Sequence, residues 1–267
     1  MIGRALRVIS YNLHEGRARS ELLELATAHD VDALCLQECD TALLPDEVAG
    51  LRLAGATQRN RLGLALYYRP ERLHLQGFAT VPLRRSMHDR FLSPAHERLL
   101  AVRVVDDAGG GIPFTLASIH TAPLSATNAM RRSQIAGALH AIRETAHGTS
   151  ALVVGDFNYP WFHSSLGRHL QQHGYEVSRS DLPTYVRRRF RGHFDFAISE
   201  GMQVDRVSTL AQGGSDHLPI LVEARIGRAE VPEGAAPVVP VAGARVRRGG
   251  LPLAAGSRRR SGLSRAG

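Results

Sequence analysis

Ala151-Leu152-Val153-Val154-Gly155-Asp156-Phe157-Asn158 is an apolar run that breaks at a glycine and then presents an acid and an amide two residues apart. The run reads as a strand. On a continuing strand or an extended turn, a spacing of two sends both side chains the same way. Asp156 is then placed to position a water and Asn158 to donate to a phosphoryl oxygen, whereas an Asx turn uses the same two residues for local geometry. Working outward, similar runs bounded by turn residues recur at 6–11, 33–36, 64–68, 99–105, 114–119, 194–198 and 220–222. Two amphipathic helices lie between them. One spans 20–28, with Leu22, Leu25 and Ala26 on one face; the other spans 126–146, with Met130, Ile135, Leu139 and Ile142. Many strands with few, unevenly spaced helices exclude a regular βαβ repeat and predict sheets packed together with helices outside.

Polar residues gather where these strands end, which is where a rigid scaffold presents chemical groups from several elements at once. Ser10-Tyr11-Asn12-Leu13-His14 follows the first run, and Leu34-Cys35-Leu36-Gln37-Glu38 closes the second with an amide and a carboxylate. Glu38 is either a surface acid or a hard oxygen ligand for Mg²⁺ or Mn²⁺, which take one or two carboxylates together with water and substrate phosphate. Gly213-Gly214-Ser215-Asp216-His217-Leu218-Pro219 precedes the last run and offers a metal contact and a titratable donor from one tight loop. Ser215 beside Asp216 and His217 is not a hydrolase triad, because adjacent residues rarely reach triad geometry and the chain has no Gly-x-Ser-x-Gly elbow.

The chain has 267 residues, 43% of them hydrophobic, so it is long enough to bury a sizeable core and is not disordered throughout. No long uncharged apolar stretch and no leader-like apolar core is present, so a soluble, unexported, cytoplasmic protein is expected. Cys35 and Cys39 predict two buried or half-buried thiols rather than a disulfide framework. The net charge of +8 is uneven: residues 228–267 carry eight arginines against Glu230 and Glu233, which accounts for +6 and leaves the body at +2. That segment is rich in Gly, Pro, Ala and Arg, has no aromatic residue, and is expected to be a disordered tail following a domain at 1–227. It is either a solvated tail or an electrostatic tether to nucleic acid or anionic membrane.

Taken together, the segments resemble the endonuclease/exonuclease/phosphatase superfamily, metal-dependent phosphoesterases with the deoxyribonuclease I-like fold. In order they are Ser10-Tyr11-Asn12, Gln37-Glu38, Glu97-Arg98-Leu99-Leu100, Ser118-Ile119-His120, Arg131 with Gln134, Gly155-Asp156-Phe157-Asn158, Phe194-Asp195-Phe196 and Ser215-Asp216-His217. The pairing of Gly-Asp-Phe-Asn with a later Ser-Asp-His is the specific part of the match. The resemblance implies an α+β fold, a four-layer αββα sandwich of two mostly antiparallel mixed sheets packed face to face with helices outside. It further implies Glu38 as the principal Mg²⁺ ligand (Mn²⁺ substituting), with Asn12 beside the metal and Asp216 contributing directly or through water. Asp156 would orient and deprotonate the attacking water, or help the leaving group. Asn158, His120 and His217 would donate to phosphoryl oxygens, His217 being held in its tautomer by Asp195.

Two positions depart from the family pattern. His14 stands where some members carry a second acid, which argues against a second metal. Gly192-His193-Phe194-Asp195 follows the basic cluster Arg187-Arg188-Arg189-Phe190-Arg191, where many members have Arg-Ile-Asp-Tyr. The cluster, Arg189 and Arg191 in particular, either replaces the missing arginine, clamps a phosphate, or is a solvated loop. Arg98 is a further substrate-binding candidate, and His88, His96 and His163 are held as possible cleft contacts. Trp161 is read as a core or rim anchor rather than a base-stacking platform. His29, His74, His140, His147, His169 and His173 are read as surface or packing residues. The expectation is a monomeric Mg²⁺-dependent phosphodiesterase or nuclease acting on DNA, RNA or a related phosphodiester. The alternatives are a phospholipid or inositol-phosphate phosphoesterase of sphingomyelinase type, or a non-catalytic binding module that keeps the cleft.

Overall fold

The computed structural model describes residues 4–58, 62–86, 97–146, 148–159, 163–187 and 190–226. His88, His96, His147, Trp161, Arg188, Arg189 and the segment 228–267 lie outside the described residues, as do the side chains of His163, Val186, Arg187 and Phe190.

Seven strands form the first sheet: β1 (Leu6–Asn12), β2 (Ala33–Cys39), β3 (Glu47–Val48), β4 (Leu51–Ala56), β5 (Gly63–Tyr68), β14 (Met202–Thr209) and β15 (Ile220–Ile226). Their order is β14-β15-β1-β2-β5-β4-β3. Six form the second: β6 (Leu73–Pro82), β7 (Glu97–Asp106), β8 (Ile112–His120), β9 (Ser150–Asp156), β10 (Glu176–Arg179) and β13 (Asp195–Glu200), in the order β10-β13-β9-β8-β7-β6. Both sheets are mixed, with the parallel pairs β1–β2 and β8–β9 near their centres. A separate hairpin pairs β11 (Tyr185–Arg187) with β12 (Phe190–Gly192).

Three apolar layers explain why the central strands read as unbroken runs. Leu6, Val8, Cys35 and Leu66 of the first sheet meet Leu100, Val102, Leu116, Leu152 and Val154 of the second. The alternate residues Ile9, Tyr11, Leu34, Leu36 and Tyr67 pack outward against Leu22 and Ala26 of α1 (Leu22–Ala28). On the far side, Leu99, Ala117, Ile119, Val153 and Ile198 pack against Ile135, Leu139 and Ile142 of α2 (Asn128–Ala146), and against Leu166 and Leu170 of α3 (His163–Gln171). Strands covered on both faces have no polar side to show, and each such side chain contributes on the order of 2 kcal/mol through burial. The result is the four-layer αββα sandwich that the sequence predicts.

The local differences have physical causes. The helix expected over 20–28 is a 3₁₀ turn, Arg17–Glu21, followed by α1. The face of α2 that turns inward carries Arg131 and Gln134 beside its apolar residues, while Met130 is only half-buried. Arg131 donates to the carbonyls of Pro123 and Ala126, and Gln134 accepts from Ala122 N and donates to Arg84 O. Both residues therefore hold the loop that leaves β8. Cys35 and Cys39 are free and buried, and burial pushes both thiols up. No helix among the described residues is long and apolar enough to cross a membrane.

Candidate active site

Strand register assembles the site. His120, the last residue of β8, lies opposite Asp156, the last of β9, and Asp156 lies opposite Asp195, the first of the antiparallel β13. In the facing sheet Asn12 lies opposite Gln37, with Glu38 next along β2. Two centres that sequence alone separates by tens of residues thus meet at one end of the sandwich.

Asp156 is the hub. Its Oδ2 accepts from Asn12 Nδ2 and Asn158 Nδ2, both at 3.1 Å, and lies 3.6 Å from His120 Nε2 and 3.7 Å from His217 Nε2. Its Oδ1 accepts from Asn158 N at 2.8 Å, an Asx turn. The two readings of the Asp156–Asn158 spacing are therefore both present, because Asn158 turns into the left-handed region at φ 46° and points its amide back at the carboxylate. Gly155 makes this possible: its φ is 149°, and a Cβ there would meet Ile119 O at 2.1 Å. Glu38 is also left-handed, at φ 52°, where a β-bulge interrupts the pairing of β2 with β5. Backbone strain of this kind costs roughly 1–3 kcal/mol per residue and gathers at functional sites.

The two histidines differ in charge. His217 Nδ1 lies 2.8 Å from Asp195 Oδ2. Burial pulls its pKa down, but the charges of Asp195 and Asp156 outweigh that and raise it to about 10. His217 is therefore a cation whose Nε2 faces Asp156. His120 is pushed well below the ordinary histidine value by burial, then by the charges of Arg98 and His217, and stays neutral. Its Nε2 lies 3.8 Å from Glu38 Oε1, and its Nδ1 is buried with no hydrogen-bond partner. Asp156 is raised to about 7, by burial first; the charge of His217 opposes this, and those of Asp195 and Glu38 add to it.

Thr184 and Ser215 hold this arrangement and were not singled out for it by the sequence. Thr184 Oγ1 accepts from Phe194 N and Asp195 N, while its carbonyl accepts from Leu218 N. Ser215 Oγ donates to Asn12 O and accepts from His217 N. The adjacent Ser-Asp-His drew the eye to Ser215, yet its hydroxyl couples the two loops instead of attacking. Arg98, expected to touch substrate, is 3% exposed and donates from Nη1 to the carbonyls of His120 and Thr121. It is a positioning residue behind the cleft, because its Nη1 holds the backbone that follows β8. Arg191 is exposed on β12.

Carboxylates of unequal openness surround the site. Ligand atoms of Asp156, Asp195 and His217 lie within 4.8 Å of one another, a grouping that could hold a cation. This differs from the Asn12, Glu38 and Asp216 set expected from sequence. Asn12 Oδ1 accepts from His14 N, and Asp216 Oδ1 pairs with His14 Nδ1 at 3.3 Å on the rim. Glu38 Oε2 accepts from Glu15 N, and its Oε1 lies toward His120. Its side chain is 19% exposed against 2% for Asp156, so it is the more open of the two. Crowded buried carboxylates, with Asp195 Oδ1 lacking a hydrogen-bond partner, form an oxygen-rich negative pocket that suits a hard divalent cation.

The sequence matches the model of the endonuclease/exonuclease/phosphatase family over residues 9–217. A search of curated protein sequences finds no match. Among solved structures, a mannosyl-6-phosphatase of Bacteroides thetaiotaomicron superposes with a TM-score of 0.67 at 18% identity, over 82% of this chain and 99% of that one. D. rerio TDP2 complexed with a single-strand DNA product superposes at 0.64 and 17% identity, over 82% and 98%. The human nocturnin catalytic domain with a bound sulfate gives 0.62 and 18% identity, over 82% and 94%. The chain belongs to the endonuclease/exonuclease/phosphatase family, whose members are metal-dependent phosphoesterases, and it is a phosphoester hydrolase.

Proposed function

We propose that this member of the family is a Mg²⁺-dependent phosphodiesterase acting on nucleic acid, with Mn²⁺ as a substitute. The observation that carries the reading is the convergence of four nitrogens, from Asn12, Asn158, His120 and His217, on Asp156 Oδ2. A carboxylate at about 7, in a cleft walled by donors, is suited to take a proton near neutral pH. Asp156 orients the attacking water and accepts its proton at Oδ2. His217, cationic and fixed by Asp195, donates from Nε2 to a phosphoryl oxygen as negative charge grows there. His120, neutral and buried, donates from the same side, and the Asn158 amide is a third donor once substrate competes with Asp156 for it. Glu38 would hold the cation, with Asn12 beside it and Asp216 reaching it through water. When bound, the ion supplies Lewis-acid polarisation of the phosphoryl group and eases leaving-group departure.

A complex with single-strand DNA product among the similar structures supports a nucleic-acid substrate. The test is hydrolysis of bis(p-nitrophenyl) phosphate, plasmid DNA, an abasic-site duplex and sphingomyelin, each with Mg²⁺, Mn²⁺ or EDTA. Metal-dependent cleavage of the nucleic acids, lost in Asp156→Asn, is expected. Cleavage that persists in EDTA, or cleavage confined to sphingomyelin, would overturn the proposal.

A further inference from the structure

His169 and His173 read as surface or packing residues in the sequence, and both are exposed. They meet where α3 ends. Helical bonding continues past Gln171, since Gln172 N donates to Arg168 O and His173 N to Leu170 O. Residues four apart on such a turn are neighbours on one face. The two ring centres are 4.8 Å apart, and the ring planes are tilted by 58°.

That spacing suits two imidazoles sharing one ion. With metal–nitrogen bonds of about 2.0–2.1 Å and a tetrahedral angle, two such rings stand about 5 Å apart, centre to centre. One ring is also set in a ligating tautomer. His173 Nδ1 lies 2.8 Å from His169 O, and a carbonyl oxygen can only accept, so Nδ1 carries the hydrogen and Nε2 of the neutral ring keeps its lone pair. A ring nitrogen that donates to a backbone carbonyl is the outer partner that orients metal-binding histidines. Among the described residues, no other hydrogen bond or ion pair engages either ring. The cation on this turn is already matched: Arg143 donates to His173 O, pairs with Glu200 through Nε and Nη2, and lies over the Tyr175 ring.

We infer that His169 and His173 form a surface site for a borderline transition-metal dication of the Zn²⁺, Ni²⁺ and Cu²⁺ class, held by one nitrogen of each ring with water completing its shell. Imidazole nitrogens favour these ions, whereas the catalytic pocket offers carboxylate oxygens suited to Mg²⁺, so the two sites select different metals. The ion ties the last turn of α3, whose Leu170 is packed in the core, to the turn that leads into the buried Tyr175 and β10.

The experiment titrates Zn²⁺ into the full-length protein by calorimetry, in excess Mg²⁺, which competes at oxygen ligands and not at imidazoles. Wild-type protein should bind one Zn²⁺ in a class that weakens in His169→Gln and equally in His173→Gln. Loss of a ligand should cost at least what loss of an outer partner costs, about tenfold in affinity. His140→Gln, which removes a different exposed histidine, should leave that class unchanged. Cu²⁺ added to the same proteins should show, by paramagnetic resonance, a signal with hyperfine lines from two nitrogens that disappears in either glutamine variant. A third reading needs no substitution: Zn²⁺ should protect His169 and His173 together from diethyl pyrocarbonate, as mapped by peptide mass. Zn²⁺ affinity equal in all four proteins overturns the site, as does a loss confined to one of the two variants, which would make the contact a single imidazole. Protection of neither ring, or of one ring alone, overturns it as well. None of these readings uses turnover, so the site stands or falls separately from the phosphodiesterase reading.

Discussion

Two buried charge clusters occupy opposite ends of the sandwich, and they are built on opposite principles. At the end away from the site, Arg72 spends its guanidinium completely: Nε and Nη2 bond both oxygens of Asp106, Nη1 bonds Asp32 Oδ2 at 2.7 Å, and the remaining donors reach the carbonyls of Ala5 and Arg4. Asp32 also accepts from Arg7 N and from Arg4. Every carboxylate oxygen of this cluster is engaged. At the site end, Asp156 and Asp195 face a single cationic histidine, Asp195 Oδ1 and His120 Nδ1 have no hydrogen-bond partner, and Glu38 and Asn158 sit in left-handed backbone. Native interiors rarely leave buried polar groups unmet. The difference separates a closed network, which holds strands together, from an open one, which keeps buried polar atoms unmet at the site.

The sharpest test of the open cluster is Asp156→Asn. It keeps the shape and removes the charge and the proton-accepting oxygen, so kcat should fall by about 10²–10⁴-fold. Thermal melting should show the fold retained, because a carboxylate crowded by Asp195 and Glu38 is lost from a buried position. Near-wild-type turnover in this variant would break the comparison at its functional end.

Arg72→Met tests the closed cluster. It strands Asp32 and Asp106 without their partner, and removing one member of a buried ion pair costs about 3–5 kcal/mol. Urea unfolding should show that loss, while turnover per folded molecule stays at the wild-type level. A loss below about 1 kcal/mol would mean that water or Arg4 compensates and that the network is not closed.

A third test uses pH. His217 has a folded-state pKa near 10, above its ordinary value, so in metal-free protein its contribution to stability is fully present below about pH 6.5 and drains away as pH rises through 10. In EDTA, the denaturation midpoint should decline between neutral and alkaline pH. Asp195→Asn removes a carboxylate that raises the histidine, so the decline should be shallower. Equal slopes in the two proteins would detach His217 from Asp195 energetically, despite their 2.8 Å contact.

The sequence made one class of feature plain and hid another. Strands covered on both faces, such as β1, β8 and β9, stand out because burial demands apolar residues at every position. Strands at the sheet margins do not: β6 buries only its first residue, β14 loses its period at a bulge between Val204 and Arg206, and β4 carries Gly55 because the Phe78 ring leaves no room for a Cβ. The short α3 leaves little pattern either, since among its described residues only Leu166 and Leu170 are deeply buried. For the site, local spacing made Asp156 and Asn158 readable as a pair. That Asp156 lies between His120 and Asp195 is a fact of register, set by long-range pairing that no local pattern encodes. Arg98 misled for a related reason: a guanidinium beside the cleft and one turned inward to hold His120 O look alike in sequence.

The smallest expected effect comes from a carboxylate bonded as richly as Asp32 but left in water. Asp181 is exposed, and its Oδ1 accepts from Thr209 N, Thr209 Oγ1 and Leu182 N. The bond from Thr209 N leads in holding its pKa below the ordinary aspartate value. A depressed carboxyl stabilises the fold above its unfolded pKa and loses that contribution as pH falls through the folded value, so Asp181→Asn should matter at neutral pH and vanish in acid. Solvent screens the charge, so the cost at pH 7 should stay below about 1 kcal/mol. Measured beside Arg72→Met, this variant isolates burial as the variable: both sites are rich in hydrogen bonds, and only one is dry. If Asp181→Asn proved as damaging as Arg72→Met, hydrogen-bond number rather than desolvation would set the scale, and the closed cluster would owe its strength to its partners alone.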